Sequence, residues 1–311
     1  PLRIYTEPAN KPRMIVAKSD TTRYCVGKQW TGNKLCYYDF LRPDVNEISL
    51  DIACGSRDAI DYCLSCDKDW LSFSQTEGHT VFTDRIQIQL DRSKLSGRDT
   101  AIVTVSGTDQ SKVEITIHAE NRCFDDYKPM TFFEYDGYIA MEAEHFCNKQ
   151  DSADGCFSLL KPYGKTGSAM KVYPSLTDCS LTRRFEKPYL EYRFVTNTDG
   201  IYQLTLYFGP STPVTHEQTM RFGISTNDSD YAEYETVENR SIPYFTSPQW
   251  TKEAYANVKI YQCTIRCNAG INSLKYYYIS PNLALERLVL HPVGTELPAS
   301  YLGPKESFYL S

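Results

Sequence analysis

The sequence lacks any apolar run that approaches about 18 residues, the length that a membrane-spanning helix requires. It also lacks clusters of lysine or arginine, and its net charge is −6. Proteins that bind nucleic acid or anionic membranes concentrate positive charge on one surface. The sequence therefore predicts neither a nucleic-acid partner nor a membrane partner.

Motifs of the common hydrolases and nucleotide-binding proteins are missing as well. There is no G-x-S-x-G nucleophile elbow, no glycine-rich phosphate loop and no HExxH pattern. The 39 acidic residues are dispersed among turns, whereas a glycosidase needs two carboxylates set across one pocket. The five histidines are far apart in the sequence: His79, His118, His145, His216 and His291. An active site within this chain is thus the most remote of the functions considered.

Cysteine is abundant, with 11 residues, but no regular framework links them. Cys63 and Cys66 form one isolated C-x-x-C pair, and Cys263 and Cys267 are four apart. A redox site would need a βαβ context, and a zinc site would need a second matching pair. We predict buried thiols or one or two local disulfides, with a redox or zinc site as the alternative.

The length and composition indicate two folded domains. The chain has 311 residues, of which 41% are hydrophobic and 23% charged, and this is enough to form two hydrophobic cores. It begins at Pro1 without methionine or a signal-peptide pattern. We therefore expect a processed protein or a segment of a longer one.

Alternating apolar and polar residues predict an antiparallel β-sandwich in the first part of the chain. Val103 and Val105 share one face of their strand, as Val113, Ile115 and Ile117 share one face of theirs. The order of strands and turns resembles an immunoglobulin-like spacer module. We assign residues 1–120 to this Ig-like sandwich with an irregular N-terminal segment, and residues 121–133 to a linker. Trp70 is predicted to lie in the core.

A second all-β domain is predicted for residues 134–311. Eight to ten short strands, separated by Gly, Asn and Pro turns, are typical of a jelly roll. Residues 226–256 are predicted to form a long loop, and no helix longer than two turns is expected. The fold class is thus all-β, with an Ig-like sandwich followed by a jelly-roll sandwich of the galactose-binding type.

The second domain is organised around the stretch YIAMEAEHF at residues 138–146. Glu142 and Glu144 are two apart, so in a strand both side chains point to one face. A solvated acidic face on an edge strand explains this spacing as well as a functional pair does. Near the other end of the chain, NLALERLVL at residues 282–290 reads as a closing strand, followed by SYLGPKES at residues 300–307.

These motifs, with KPYLEYRF at residues 187–194, resemble the C-terminal region of glycoside hydrolase family 115, the xylan α-glucuronidases. The resemblance implies removal of 4-O-methylglucuronic acid from xylan by catalytic domains that lie upstream of this region. It also implies a non-catalytic role in assembly with those domains and in a homodimer, with plant cell-wall glucuronoxylan as a polysaccharide partner. The expected location is outside the cytoplasm, secreted or periplasmic.

The opening and closing strands are also similar to those of family 6 and family 35 carbohydrate-binding modules. In those modules a structural Ca²⁺ lies between the first strand and an acid of the last strand. The resemblance implies Glu142, Glu144 and Glu286 as metal ligands here, which suits the preference of Ca²⁺ for carboxylate oxygens. Glutamate at the last position, where the modules usually have aspartate, would crowd the ion.

The same resemblance implies saccharide binding by loops at one end of the sandwich. Asn282 matches the asparagine that precedes the last strand. Tyr163, Tyr173, Tyr244 and Trp250 are candidate platforms, because aromatic rings stack on the C–H faces of sugars. A structural role in the core is the alternative for Trp250, and packing explains most of the 24 tyrosines.

Two functions are compatible with these observations. The favoured one is a non-catalytic accessory region of a xylan α-(4-O-methyl)glucuronidase, which serves domain and dimer assembly and binds polysaccharide. The alternative is a free-standing carbohydrate-binding protein of the jelly-roll type.

Overall fold

The computed structural model describes residues 13–19, 21, 23–27, 34–297 and 302–311. The chain divides into two compact units, Pro1–Phe124 and Asp125–Ser311. The polar stretch 28–33 and residues 300–301 of the SYLGPKES motif lie outside the described residues. No helix in the described part of the chain is both long and apolar enough to cross a membrane.

The first unit is a sandwich of two five-stranded sheets. One sheet has the order β2-β1-β4-β8-β6 and the other the order β3-β10-β9-β5-β7. The strands are β1 Met14–Lys18, β2 Tyr24–Val26, β3 Lys34–Phe40, β4 Glu47–Cys54, β5 Ile60–Cys66, β6 Leu71–Phe73, β7 Glu77–Thr80, β8 Thr83–Leu90, β9 Arg98–Gly107 and β10 Lys112–Glu120.

The predicted period of two is confirmed in the β9–β10 hairpin. Val113 pairs with Val105 and Ile115 with Val103, and all four side chains are fully buried. Trp70 is also buried, as predicted, and its indole N–H donates to Asp99 at 3.0 Å. This polar contact satisfies the one donor that a buried tryptophan carries.

The second unit is a sandwich of two six-stranded sheets. One sheet has the order β11-β16-β21-β18-β19, and β13 also pairs with β16. The other sheet has the order β14-β15-β22-β17-β20, and β12 also pairs with β22. The strands are β11 Thr131–Phe133, β12 Ile139–Glu142, β13 Asn148–Gln150, β14 Cys156–Tyr163, β15 Gly167–Tyr173, β16 Tyr189–Thr196, β17 Gly200–Phe208, β18 Arg221–Thr226, β19 Ser229–Glu235, β20 Lys259–Cys267, β21 Gly270–Tyr278 and β22 Ala284–Pro292. The predicted all-β class with two successive sandwiches is confirmed.

Three local features differ from the sequence-based expectations. Thr131–Phe133, placed at the end of the linker, forms β11 and pairs in parallel with β16. Residues 226–256, expected to be a loop, contain β19 and the helix α1, Pro248–Ala256, which is nine residues long. All eleven cysteines are free thiols, and three of them are buried. The predicted local disulfides therefore do not form.

Candidate functional site

The three predicted metal ligands lie around one turn of the second unit, residues 164–168. These residues include the start of β15, and each carboxylate accepts a hydrogen bond from them. The contacts are Lys165 N–H to Glu286 Oε2 at 3.0 Å, Thr166 Oγ1 to Glu142 Oε2 at 2.8 Å, and Ser168 Oγ to Glu144 Oε1. The structure thus brings Glu286 together with carboxylates that lie 142 and 144 positions earlier in the sequence.

Glycine is required at position 164 of this turn. Its φ is +64°, and a Cβ there would lie 2.2 Å from the carboxyl carbon of Glu286. Only glycine adopts this backbone conformation without strain and also leaves room for a carboxylate against the main chain. Gly164 therefore allows the main chain to approach the carboxylate of Glu286.

Arg287 is the cation at the centre of the cluster, and it is 6% exposed. Its Nε and Nη2 both donate to Glu142 Oε1, with the Nε contact at 2.7 Å. Its Nη1 donates to the carbonyls of Leu302 and Pro304, at 2.9 and 2.8 Å. One guanidinium therefore neutralises a buried carboxylate and holds the C-terminal segment.

The C-terminal segment, residues 302–311, runs along both β11 and β12. Ser307 N–H donates to Ala140 O at 2.9 Å, and Ala140 N–H donates back to Ser307 Oγ at 3.0 Å. Farther along, Leu310 N–H donates to Thr131 O at 3.1 Å, and Phe133 N–H donates to Phe308 O at 3.1 Å. These contacts satisfy strand-edge groups that would otherwise lack partners.

Two oxygens of the carboxylate cluster are buried and have no hydrogen-bond partner among the described residues: Glu144 Oε2 and Glu286 Oε1. Burial raises the pKa of Glu286, and the nearby Glu142 raises it further. Such oxygens suit a hard cation, but Glu142 is already paired with Arg287. Across the described residues no group of three or more His, Cys, Asp or Glu side chains is arranged to hold a metal ion. The three-carboxylate calcium site therefore fits this structure poorly, and bound Ca²⁺ stays an untested prediction.

His145 has a partner on the C-terminal segment. Its Nδ1 lies 2.7 Å from Glu306 Oε1, and the same oxygen accepts from Glu142 N–H at 2.9 Å. The hydrogen bond with Glu306 raises the pKa of His145 above its ordinary value of 6.5, and burial opposes this only in part. The ring also contacts Tyr309, with centroids 5.0 Å apart. These contacts give His145 a structural role.

The raised pKa of His145 predicts a pH-dependent stability. The protonated ring binds Glu306 better than the neutral ring, so this contribution is fully present below pH 6.5 and is lost as pH rises through the raised pKa. In wild type, the melting temperature should fall as pH rises through the pKa of His145, between about pH 5 and 8. In Glu306→Gln this fall should be smaller. The exposed His216 supplies the control variant His216→Ala, which should keep the wild-type slope. Equal slopes for Glu306→Gln and wild type would contradict the assignment.

Asn282 and two of the candidate platforms lie around β15, on the face away from the core. Asn282 has a left-handed backbone, with φ at 70°. Its Nδ2 donates to Thr212 O at 3.0 Å, and its Oδ1 accepts from Lys171 Nζ at 2.9 Å. The Tyr173 ring lies 5.6 Å from the same ammonium, and Tyr163 is half-buried nearby. These residues combine an amide, a cation and aromatic rings.

Tyr244 and Trp250 belong instead to the hydrophobic core. Tyr244 is 2% exposed, so no face of its ring is open to a saccharide, and this part of the site prediction is corrected. Its hydroxyl donates to Glu253 Oε2 and accepts from Lys259 Nζ. Trp250 lies on α1, half-buried against the core, with its ring centroid 5.9 Å from that of Tyr244. The structural alternative considered for Trp250 matches this position.

Sequence reasoning missed Lys171 and Arg287. For Arg287 a signal was present, because a Glu-Arg dyad interrupts an otherwise apolar closing strand and needs buried partners. For Lys171 the sequence gives no signal beyond its position in a strand whose residues alternate in polarity. Its neighbours Asn282 and Tyr173 are recognisable only once β15 and β22 are paired, with Lys171 opposite Ala284.

Comparison with known proteins assigns the second unit to a family. The family model described as the glycosyl hydrolase family 115 C-terminal domain matches residues 131–306, which is more than half of the chain. The chain belongs to this family. A GH115 C-terminal domain is a non-catalytic part of a glycoside hydrolase, and the resemblance noted in the sequence is thereby confirmed.

Solved structures similar to this GH115 chain include an enzyme and two binding modules. One is a family GH115 4-O-methyl-α-glucuronidase with specificity for decorated arabinogalactans, at 14% identity and a TM-score of 0.35, covering 48% of this chain and 18% of that one. A family 35 carbohydrate-binding module from Clostridium thermocellum has 13% identity and a TM-score of 0.34, with 49% and 97% covered. The C-terminal family 6 module of a laminarinase from Zobellia galactanivorans has 13% identity and a TM-score of 0.32, with 50% and 98% covered. Among curated proteins, no sequence matches significantly.

Proposed function

We propose that the chain is the non-catalytic C-terminal region of an α-(4-O-methyl)glucuronidase that acts outside the cytoplasm on glucuronoxylan or a similarly decorated polysaccharide. In this proposal, upstream catalytic domains cleave the glycosidic bond. The chain described here contacts those domains, supports a homodimer and binds the polysaccharide. Membership of the GH115 C-terminal family supports the accessory role.

The buried carboxylates of the second unit support a role without catalysis. Glu142 pairs with Arg287, Glu253 pairs with Lys259 at 3.2 Å, and Glu134 accepts from Asn197 N–H at 2.8 Å. A glycosidase instead keeps two carboxylates available to a substrate in one pocket. Release of 4-O-methylglucuronic acid from an aldouronic acid by this chain alone would contradict the proposal. The homodimer is tested separately by the elution volume on a sizing column.

The observation that carries the binding part of the proposal is the arrangement around Asn282. A side-chain amide, an ammonium and the ring of Tyr173 lie together, half-buried, on the face of the sheet away from the core. Saccharide sites combine these chemical types, because amides and cations bind hydroxyl and carboxyl oxygens while aromatic rings stack on C–H faces. We therefore propose that the polysaccharide binds on this face.

Asn282→Gly is expected to weaken binding of glucuronoxylan at least about tenfold, which corresponds to roughly 1.4 kcal/mol. Glycine accepts the positive φ of this position, so the change removes the side chain without straining the backbone. Affinity gel electrophoresis on glucuronoxylan measures the effect.

Asn257→Gly is the matched control, since Asn257 also has a positive φ of 51° and caps the C-terminus of α1. It should bind like wild type. Equal retardation of Asn282→Gly and wild type would move the binding site elsewhere. No retardation of wild type would leave assembly as the role of the chain.

A further inference from the structure

We infer that the site around Asn282 selects saccharides that carry a carboxylate, and that Lys171 recognises this group. The inference rests on the proposed function, because it specifies the ligand class of the same site. It concerns specificity: Asn282 and the tyrosine rings would bind many sugars, whereas a cation favours an acidic one. The chemistry named is that of a uronic acid residue.

Lys171 is held in a defined position. It lies in β15 between Met170 and Val172, whose side chains are buried in the core, so Lys171 points to the opposite face. Its ammonium donates to Asn282 Oδ1 at 2.9 Å, and Asn282 is itself fixed by its bond to Thr212 O. The ammonium group has three N–H donors, and Asn282 accepts from one of them.

The charge of Lys171 has no counterion among the described residues. No carboxylate in the described part of the chain forms an ion pair with it, whereas the buried Lys259 pairs with Glu253 and the half-buried Lys275 with Asp228. Burial lowers the pKa of Lys171, and no neighbouring negative charge offsets this effect. Partial burial of an unpaired cation is unfavourable. A carboxylate on the ligand would supply the missing partner.

Tyr173 sets where that carboxylate would lie. It is two residues from Lys171 on the same face of β15, and its ring centroid is 5.6 Å from the ammonium. A sugar ring stacked on Tyr173 would place its exocyclic substituents near Lys171. The C6 carboxylate of a uronic acid is such a substituent, and in a neutral hexose the same position bears a hydroxymethyl group. The pair therefore discriminates between these two classes.

The test compares two ligands that differ only in this group. One is a xylo-oligosaccharide with a single glucuronic acid branch, and the other is the same molecule after reduction of the carboxylate to the primary alcohol. Isothermal titration at low salt should give about tenfold tighter binding of the acidic ligand by wild type. Added salt should reduce the preference, because exposed charge pairs are screened.

Lys171→Gln should bind the two ligands equally. Glutamine removes the charge but retains an N–H donor for Asn282, so the variant separates charge from positioning. Lys252→Met, on the exposed face of α1, removes one positive charge elsewhere and should keep the preference. Unchanged melting temperatures will show that both variants fold.

The outcomes separate this inference from the proposed function. If wild type binds both ligands equally, or if Lys171→Gln keeps the preference for the acidic ligand, Lys171 is not the selecting residue and the binding function stands. If wild type binds neither ligand, the proposed saccharide site itself is overturned.

Discussion

Replacing Arg287 with methionine is expected to destabilise the second unit by about 3–5 kcal/mol, the range measured when one partner of a buried ion pair is removed. Glu142 is 9% exposed and would keep its charge without a counterion. The hydrogen bonds from Arg287 to the carbonyls of Leu302 and Pro304 would also be lost. The C-terminal segment should therefore be destabilised as well as β12 and β22.

Hydrogen exchange on the full chain measures this effect, because it reports β12, β22 and residues 302–311 separately from the first unit. A single melting temperature of the full chain would not show which of the two units is destabilised. Arg266→Met, on the exposed face of β20, is the control and should change stability by less than about 0.5 kcal/mol. Adding Glu142→Leu to Arg287→Met should recover part of the loss, because the uncompensated charge is then gone. Unchanged exchange in Arg287→Met would contradict the role of the guanidinium.

Replacing Glu253 with leucine is expected to cost a similar amount, about 3–5 kcal/mol. Lys259 is 1% exposed and would remain in the core without its carboxylate, which lies 3.2 Å away in wild type. Burial already lowers the pKa of Lys259, and the charge of Glu253 offsets part of that shift. Loss of Glu253 would thus favour the neutral form of the Lys259 amine. It would also remove a contact that holds helix α1 against β20.

Exchange of the α1 amides and the unfolding midpoint in urea together measure this second effect. Glu217→Leu, at an exposed position of the same unit, is the matched control and should leave both unchanged. Combining Glu253→Leu with Lys259→Met should restore much of the stability, since a fully apolar replacement of a buried pair is often tolerated. If Glu253→Leu alone is as stable as wild type, the ion pair does not anchor the helix.

The strand framework could be predicted from the sequence because it depends on local alternation. Residues 103–117 show this, since the apolar positions of both strands are buried as the pattern indicated. The helix α1 carried its own signals: Ser247 caps it by accepting from Trp250 N–H at 3.0 Å, and Pro248 occupies its first turn. Those signals are weaker than the polar composition around them, which predicts a loop for residues 226–256.

The part of the site that the resemblance to carbohydrate-binding modules implied was predictable, and the ion pair that depends on strand register was not. Glu142, Glu144 and Glu286 do meet around one turn, but the partner of Glu142 is Arg287, across the β12–β22 pair. That register depends on tertiary structure. The burial of Tyr244 also depends on tertiary structure. Local sequence does not distinguish an aromatic residue exposed in a loop from one buried before a helix. Burial decided between them.

The last ten residues have a consequence for how this protein can be shortened. A version that stops before residue 302 would leave the main-chain groups of Ala140, Thr131 and Phe133 open to strands from other molecules. Such a deletion would remove no core side chain of the opening or closing strand, yet it would convert a self-contained sandwich into one that recruits its neighbours. Solubility would then fall along with the stability that the Glu306–His145 contact contributes.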